Sequence, residues 1–337
     1  MNPSAKRSVA VVGAGGWGSA LAITMAAHHD PVRLWVFEND LADTMRRDRL
    51  NPVYLPGVEI PPEIHPSSSL DEVLEGAEIV ICAVPSHVCR DVFSTMLPLL
   101  RPEMTFVTAT KGIENGSLMR MSEVIHDVVS PSFIPRVAAI SGPTFALEVA
   151  RQLPTALVVA SPDEGTRHQL QQDLSTSHFR LYTNSDIAGV EIGGAVKNII
   201  AIAAGVVSGL ELGHNATAAL ITRGLAEIMR LAEACGGRKT TLAGLAGLGD
   251  LVLTCHGQLS RNRQVGVALG NGQRLREIVS NMRMVAEGVR TSESAVTLAR
   301  RLGVEMPIAE QVYSVLYEDK NASDAINALM ERELTEE

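Results

Sequence analysis

Two lysines in this chain of 337 residues stand in unusual settings. Lys197 lies within Gly193-Gly194-Ala195-Val196-Lys197-Asn198-Ile199-Ile200-Ala201-Ile202, a run of small and apolar residues. Burial disfavours the charged form of an amine and lowers its pKa. That is how a lysine comes to exchange protons near neutral pH. The competing reading is a stem that packs while its ammonium reaches water; apolar flanks on several sides of the helix favour the first. Lys111, in Val107-Thr108-Ala109-Thr110-Lys111-Gly112, follows a β-branched run. A lysine just past a parallel strand sits at the carboxyl edge of the sheet, where open α/β folds bind ligands. By spacing alone, a surface lysine at a strand end is the simpler reading. Asp250, in Gly247-Leu248-Gly249-Asp250-Leu251, either caps a helix or orients and pairs a lysine. Ser260-Arg261-Asn262 sets a hydroxyl, a guanidinium fork and an amide in a row, which suits a phosphate; the alternative is a solvated basic loop. His87 and His256 lack partners in sequence and read as structural histidines. No Ser/His/Asp set and no metal-ligand spacing is found. A proton-exchanging lysine, orienting groups and an anion site are what hydride transfer at an alcohol carbon requires of a protein.

A cofactor for such a transfer has its own signature. Val9–Val12 reads as a buried strand, Gly13-Ala14-Gly15-Gly16-Trp17-Gly18 follows at once, and Ser19–Ala27 reads as a helix. This is G-x-G-x-x-G in its meaningful context. Gly13 permits the tight turn, Gly15 the approach of a pyrophosphate and Gly18 close helix–strand packing, with phosphates on the N–H groups of the helix start. The acidic residue expected after the second strand is less distinct. Glu38 could accept a ribose 2′-hydroxyl and favour NAD, or could be solvated or part of a cap. Arg33, Arg46 and Arg47 could instead take the 2′-phosphate of NADP.

The elements that must position these residues fall into two kinds. Short runs (Ser8–Val12, Val32–Phe37, Ile79–Val84, Thr105–Ala109, Arg136–Ile140, Ala156–Ala160) alternate with helix-like segments, which argues for a parallel sheet covered on both faces. From about Ile187 the apolar residues recur at three and four, as in Ala216–Cys235, Arg274–Met282, Ser292–Arg301, Ile308–Tyr317 and Ser323–Leu334, so helices follow. The expected class is α/β, with a Rossmann-type N-terminal domain of mostly parallel sheet over 1–189 and an all-helical domain over 190–337. Net charge is −9, a poor match for nucleic acid or an anionic membrane face. Four cysteines without a CxxC pair read as thiols in a reducing cytoplasm. The apolar stretch Ile199–Leu210 reads as too short to span a bilayer. No targeting segment is recognised, so the expected location is cytoplasmic, without membrane insertion.

Taken together, the glycine turn, Val84-Pro85-Ser86-His87, Ala109-Thr110-Lys111-Gly112, Ile140-Ser141-Gly142-Pro143-Thr144-Phe145-Ala146, Gly193 to Asn198, Thr222-Arg223-Gly224-Leu225-Ala226-Glu227, Ala246 to Leu251, Ser260 to Arg263 and Val285-Ala286-Glu287-Gly288 resemble the bacterial NAD(P)-dependent glycerol-3-phosphate dehydrogenases over nearly the whole chain. The resemblance implies reversible hydride transfer between NAD(P)H and dihydroxyacetone phosphate, giving sn-glycerol 3-phosphate for phospholipid synthesis, by a homodimer. It implies Lys197 as proton acceptor and Lys111 as a contact to substrate and cofactor. Gly142, Thr144, Thr254, Asp250, Ser260, Arg261 and Asn262 match substrate positions. Gly16, Trp17, Phe37, Ala146, Arg261, Val285 and Glu287 match dinucleotide positions. Phe37 stands where relatives often carry His, Arg or Lys, leaving NAD and NADP both open; Ala286 is an insertion in the Val-Glu-Gly block. Two alternatives are a dehydrogenase of the same plan acting on a β-hydroxy acid or ketopantoate, and a dinucleotide sensor without catalysis.

Overall fold

Period-2 and short apolar segments build one sheet, and a computed structural model describes it together with the rest of residues 7–280, 282 and 286–333. The strands are β1 (Val9–Val12), β2 (Val32–Trp35), β3 (Leu50–Asn51), β4 (Leu55–Glu59), β5 (Ile64–Ser67), β6 (Ile79–Cys82), β7 (Thr105–Thr108), β8 (Arg136–Ser141), β9 (Thr155–Ala160) and β10 (Phe179–Asn184). Strands β3 and β4 form a separate antiparallel hairpin. The other eight form a sheet in the order β10-β9-β8-β7-β6-β1-β2-β5. All its neighbours run parallel except β8 and β9. Between those two the chain carries only the short helix Ala146–Ala150 and turns back. Strand order reverses between β1 and β6, so a crevice opens at their carboxyl ends, the usual ligand position in such sheets. The fold is a Rossmann-type sheet followed by a helical half.

Two strands of this sheet escape the sequence reading, and both are edges. β5 contains Pro66, which a ladder tolerates only at an edge. In β10, Phe179 and Leu181 face inward while Arg180 and Tyr182 face water, the alternation of a strand covered on one side.

Helix Ile187–Gly209 is the core of the helical half. Asp186 caps it, accepting the Gly189 N–H at 2.8 Å, and the 189/190 division falls in its first turn. The stretch read as too short to span a bilayer belongs to this helix of 23 residues, long and apolar enough by composition to cross one. Its apolar window is entirely buried in the protein, as a helix apolar on all sides must be. Around it pack Gly213–Ala234, Asp250–His256, Arg261–Gly270, Glu287–Leu302 and Pro307–Tyr317.

One of those contacts is closer than the rest because it is made of glycine. Gly205 and Gly209 on the long helix face Gly266 and Gly270 on Arg261–Gly270. A Cβ on Gly205 would fall 2.8 Å from the Gly266 Cα, and one on Gly209 would fall 3.0 Å from the Gly270 Cα. The backbones touch, and Ser260-Arg261-Asn262 at the start of the second helix is held at a fixed distance from Lys197. Gly205→Val forces the helices apart. The expected loss is about 1–3 kcal/mol or more of stability, read as a lowered midpoint in denaturant unfolding; an unchanged midpoint would show that the crossing is not tight.

Candidate active site

The long helix is buried along nearly its whole length, so a polar side chain on it must find a partner or destabilise the fold. Its three buried polar side chains each do find one. Glu191 accepts the Ser122 N–H at 2.8 Å and the Ser122 hydroxyl at 2.5 Å, and pairs with Arg120 at 2.6 Å. Asn198 donates to the Gly194 carbonyl at 3.3 Å and accepts from the Asn262 amide at 2.9 Å. Lys197, 5 % exposed, donates to Asp250 Oδ1 at 2.5 Å and to Thr254 Oγ1 at 2.6 Å.

Asp250 is fully buried. Its second oxygen, Oδ2, accepts from Lys111 Nζ at 2.6 Å, and Lys111 also donates to the Gly142 carbonyl at 3.3 Å. One carboxylate therefore holds two ammonium groups, one from each half of the chain. Asp250 opens helix Asp250–His256 directly after a π-helical turn at Leu245–Gly249. Its carboxylate faces the lysines rather than the helix-start N–H groups, so the capping reading does not describe it. Gly247 and Gly193 make this turn possible: a Cβ on Gly193 would meet the Ala246 carbonyl at 2.7 Å. Gly142 closes the site at the end of β8 with φ +151, where an L side chain is strained and would also press on Leu157.

Burial is the main cause that lowers the Lys197 pKa to about 8, and Lys111 adds to it by repulsion, while Asp250 pulls the other way. Thr254 spends its hydroxyl proton on the Asp250 carbonyl at 2.6 Å, so it accepts from Lys197 and orients it. Thr144 is tied to the Gly142 carbonyl at 3.2 Å.

The Ser260-Arg261-Asn262 run opens helix Arg261–Gly270, where backbone N–H groups favour an anion. Ser260 Oγ accepts the Arg263 N–H at 3.2 Å as the helix cap; its hydroxyl proton is left to donate. The Asn262 side chain is used structurally, bridging Asn198 and the Gly288 N–H at 2.9 Å each. Arg261 is exposed. His87 is exposed and makes no hydrogen bond among the described residues, in place of the structural role read from sequence; His256 only meets the Val252 carbonyl, at 3.2 Å.

The glycine turn fits a dinucleotide. Gly13 has φ +110 and lies against the end of β6, with the Ala83 carbonyl 3.0 Å from where its Cβ would be. Gly15 faces open space and precedes helix Gly16–Ala26 with no side-chain cap, so the helix start keeps its N–H groups for an anion. A Cβ on Gly16 would lie 3.7 Å from that of Ala146. The Trp17 indole nitrogen is buried without a partner, and Phe37 is 76 % exposed beyond β2. Glu287 accepts from the Ser86 hydroxyl at 2.6 Å, bridging the helical half to the loop after β6; burial raises its pKa above the ordinary carboxyl value. Val285 lies outside the described residues. Ser86, Asn198, Glu191 and Tyr54, described below, escape the sequence reading. For Glu191 and Asn198 the signal was present, a polar residue in an apolar helix.

Comparison with known proteins gives a consistent family. The profile described as NAD-dependent glycerol-3-phosphate dehydrogenase N-terminus matches residues 8–167, and the corresponding C-terminus profile matches residues 186–327. A glycerol-3-phosphate dehydrogenase [NAD(P)+] of Koribacter versatilis is 54% identical over 331 residues, covering 98% of each chain. One from Syntrophobacter fumaroxidans is 51% identical, covering 98% of this chain and 97% of its own. The crystal structure of glycerol-3-phosphate dehydrogenase from Coxiella burnetii superposes with a TM-score of 0.93 at 41% identity, covering 97% of this chain and 99% of that one.

The ion cluster can be tested without substrate. Asp250→Asn leaves the buried Lys197 ammonium and the half-buried Lys111 ammonium facing each other without a counter-charge, which should cost about 3–5 kcal/mol of stability. Chemical denaturation reads this directly, and a loss below about 1 kcal/mol would contradict a buried charge triad.

Proposed function

This chain belongs to the NAD-dependent glycerol-3-phosphate dehydrogenase family, and from that premise we propose that it interconverts dihydroxyacetone phosphate and sn-glycerol 3-phosphate with NAD(H) or NADP(H). The observation that carries this reading is the pair of lysines on one buried carboxylate. An ammonium has three N–H donors. Lys197 spends two, on Asp250 and Thr254, and Lys111 spends two, on Asp250 and Gly142. Each has one left for a substrate oxygen.

Bound nicotinamide supplies or takes the hydride. The protein does the rest. Lys197 gives its proton to the carbonyl oxygen as charge develops there, and takes it back from the hydroxyl in reverse. Lys111 stabilises the same oxygen, and Asp250 fixes both ammonium groups. Exclusion of water from the cluster strengthens each of these interactions. The phosphate docks at the start of helix Arg261–Gly270, with Arg261 and the Ser260 hydroxyl beside it, near Asn262; Gly142 and Thr144 line the other side. Gly13–Gly18, with Ala146 and Glu287, would hold the dinucleotide. In this reading residues 1–189 hold the cofactor and 190–337 the substrate. A phosphate site distinguishes it from a β-hydroxy acid or ketopantoate dehydrogenase, whose substrate is a carboxylate. Two lysines sharing a buried aspartate distinguish it from a non-catalytic dinucleotide sensor. The reading extends to a cytoplasmic homodimer, without membrane insertion, that supplies glycerophospholipid synthesis.

Oxidation of NADH or NADPH on addition of dihydroxyacetone phosphate tests the activity, and no turnover with either cofactor would end the proposal. Lys197→Ala should lower kcat by about 10²–10⁴-fold; a loss within about tenfold removes Lys197 from the acid–base role. The Lys197 pKa of about 8 sets the sign of the pH response. Ketone reduction needs the ammonium, so its rate should fall as pH rises through about 8, while glycerol 3-phosphate oxidation should rise over the same range. Profiles of kcat in both directions check this, and parallel profiles would contradict it.

A further inference from the structure

The family alone leaves the choice between NAD and NADP open, and the end of β2 narrows it. Glu38 follows that strand, and its side chain does not cap the helix Asn39–Asp48 it precedes. Its Oε1 accepts the Tyr54 hydroxyl at 2.7 Å. Its Oε2 makes no hydrogen bond among the described residues. The carboxylate also raises the Tyr54 pKa to about 12.

Tyr54 is itself fixed to the cofactor turn. It sits in the turn of the β3–β4 hairpin, with its carbonyl 2.8 Å from where a Cβ on Gly16 would be. Asn51, buried in the same hairpin, donates to the Ala14 carbonyl at 2.8 Å and to Ser19 Oγ at 2.9 Å, and accepts the Tyr54 N–H at 3.0 Å. The run Ala14–Asn51–Tyr54–Glu38 therefore holds an exposed carboxylate in register with the phosphate-binding turn. Beside it, Phe37 lies edge-on to Trp35 at 5.9 Å and presents its exposed face, an apolar platform suited to an adenine ring.

The arginines that could receive a 2′-phosphate are engaged elsewhere. Arg33 donates to Ser8 Oγ at 3.0 Å, before β1, at the edge of the sheet opposite the ligand crevice. Arg46 pairs with Asp43, and Arg47 pairs with Asp48 through two hydrogen bonds of 2.8 and 2.7 Å. Both lie in the last turn of helix Asn39–Asp48, about 12–14 Å along its axis from Glu38.

We propose that Glu38, positioned by Tyr54 and the β3–β4 hairpin, makes this chain select NAD(H) over NADP(H). The free carboxylate oxygen accepts a ribose hydroxyl of NAD, while the same charge repels the 2′-phosphate of NADP. This selection rests on the dehydrogenase reading for its use but is measurable without catalysis.

Trp17 and Trp35 are the two tryptophans of the chain, and both flank the turn, so quenching of intrinsic fluorescence by NADH and by NADPH reports binding with no substrate present. The wild type should bind NADH about tenfold or more tighter than NADPH, as a charge-assisted hydrogen bond exchanged for repulsion requires. Glu38→Gln keeps the shape and an acceptor for Tyr54 but removes the charge, and should bring the two affinities within about threefold. Tyr54→Phe should weaken NADH binding and lower the ratio partway, a change that loss of a merely structural contact would not produce. Equal affinities in the wild type, or an unchanged ratio in Glu38→Gln, would overturn the proposal. Selective binding without turnover of dihydroxyacetone phosphate would instead remove the dehydrogenase reading and leave the selectivity standing.

Discussion

A carboxylate sealed from water between two ammonium groups sets the terms for the rest of this molecule. Asp250 cannot stay charged and buried unless Lys111 and Lys197 remain within hydrogen-bond distance. Neither lysine can be desolvated without it. The cluster carries one net positive charge, so it is not neutral until something anionic, or an oxygen acquiring charge, approaches. A site of this kind is stable enough to persist and unsatisfied enough to bind.

The cluster also spans the two halves. Lys111 comes from the loop after β7, while Lys197 and Asp250 come from helices packed beyond the sheet. Their docking is held by contacts that do no chemistry. Glu191 grips Arg120 and Ser122, Ser294 donates to the Ile113 carbonyl at 3.1 Å, and Asn115 donates to Glu293 at 2.7 Å. Glu287 reaches Ser86 in the loop after β6. The segment just past Lys111 is thus pinned to the helical half at Ile113 and Asn115. Small errors in the docking would be felt at Nζ, where hydrogen bonds of 2.5–2.6 Å leave little slack.

Much of this was legible in the sequence, and the limits have physical causes. A glycine turn between a strand and a helix is a local device, so Gly13–Gly18 announces itself within six residues. Lys197 stands out because an ammonium in an apolar helix demands an explanation. The identity of its partner does not stand out, since Asp250 is 53 residues away from Lys197 and 139 from Lys111. Edge strands β5 and β10 were missed because they are paired on one side only and need less apolar character. The apolar stretch Ile199–Leu210 is only the later half of a continuous helix over 187–209, whose glycines do not interrupt it. In three dimensions they are contact points: Gly193 against the π-helical turn, and Gly205 and Gly209 against a second helix.

The Ser260-Arg261-Asn262 run shows why residue types can suggest the right chemistry through an incomplete physical cause. A hydroxyl, a guanidinium and an amide look like three phosphate ligands. Here Ser260 builds the helix cap, and Asn262 ties the helix to Asn198 and Gly288. Their structural work is to hold a helix start rigidly at one distance from Lys197. That distance is fixed again by the glycine crossing further along the same two helices. An anion bound there would be located by backbone and scaffold, with Arg261 at the mouth, and its attached carbon chain would be directed toward the lysines. Polar side chains committed to structure can therefore matter as much to a ligand as those that touch it, because they determine where the touching atoms are.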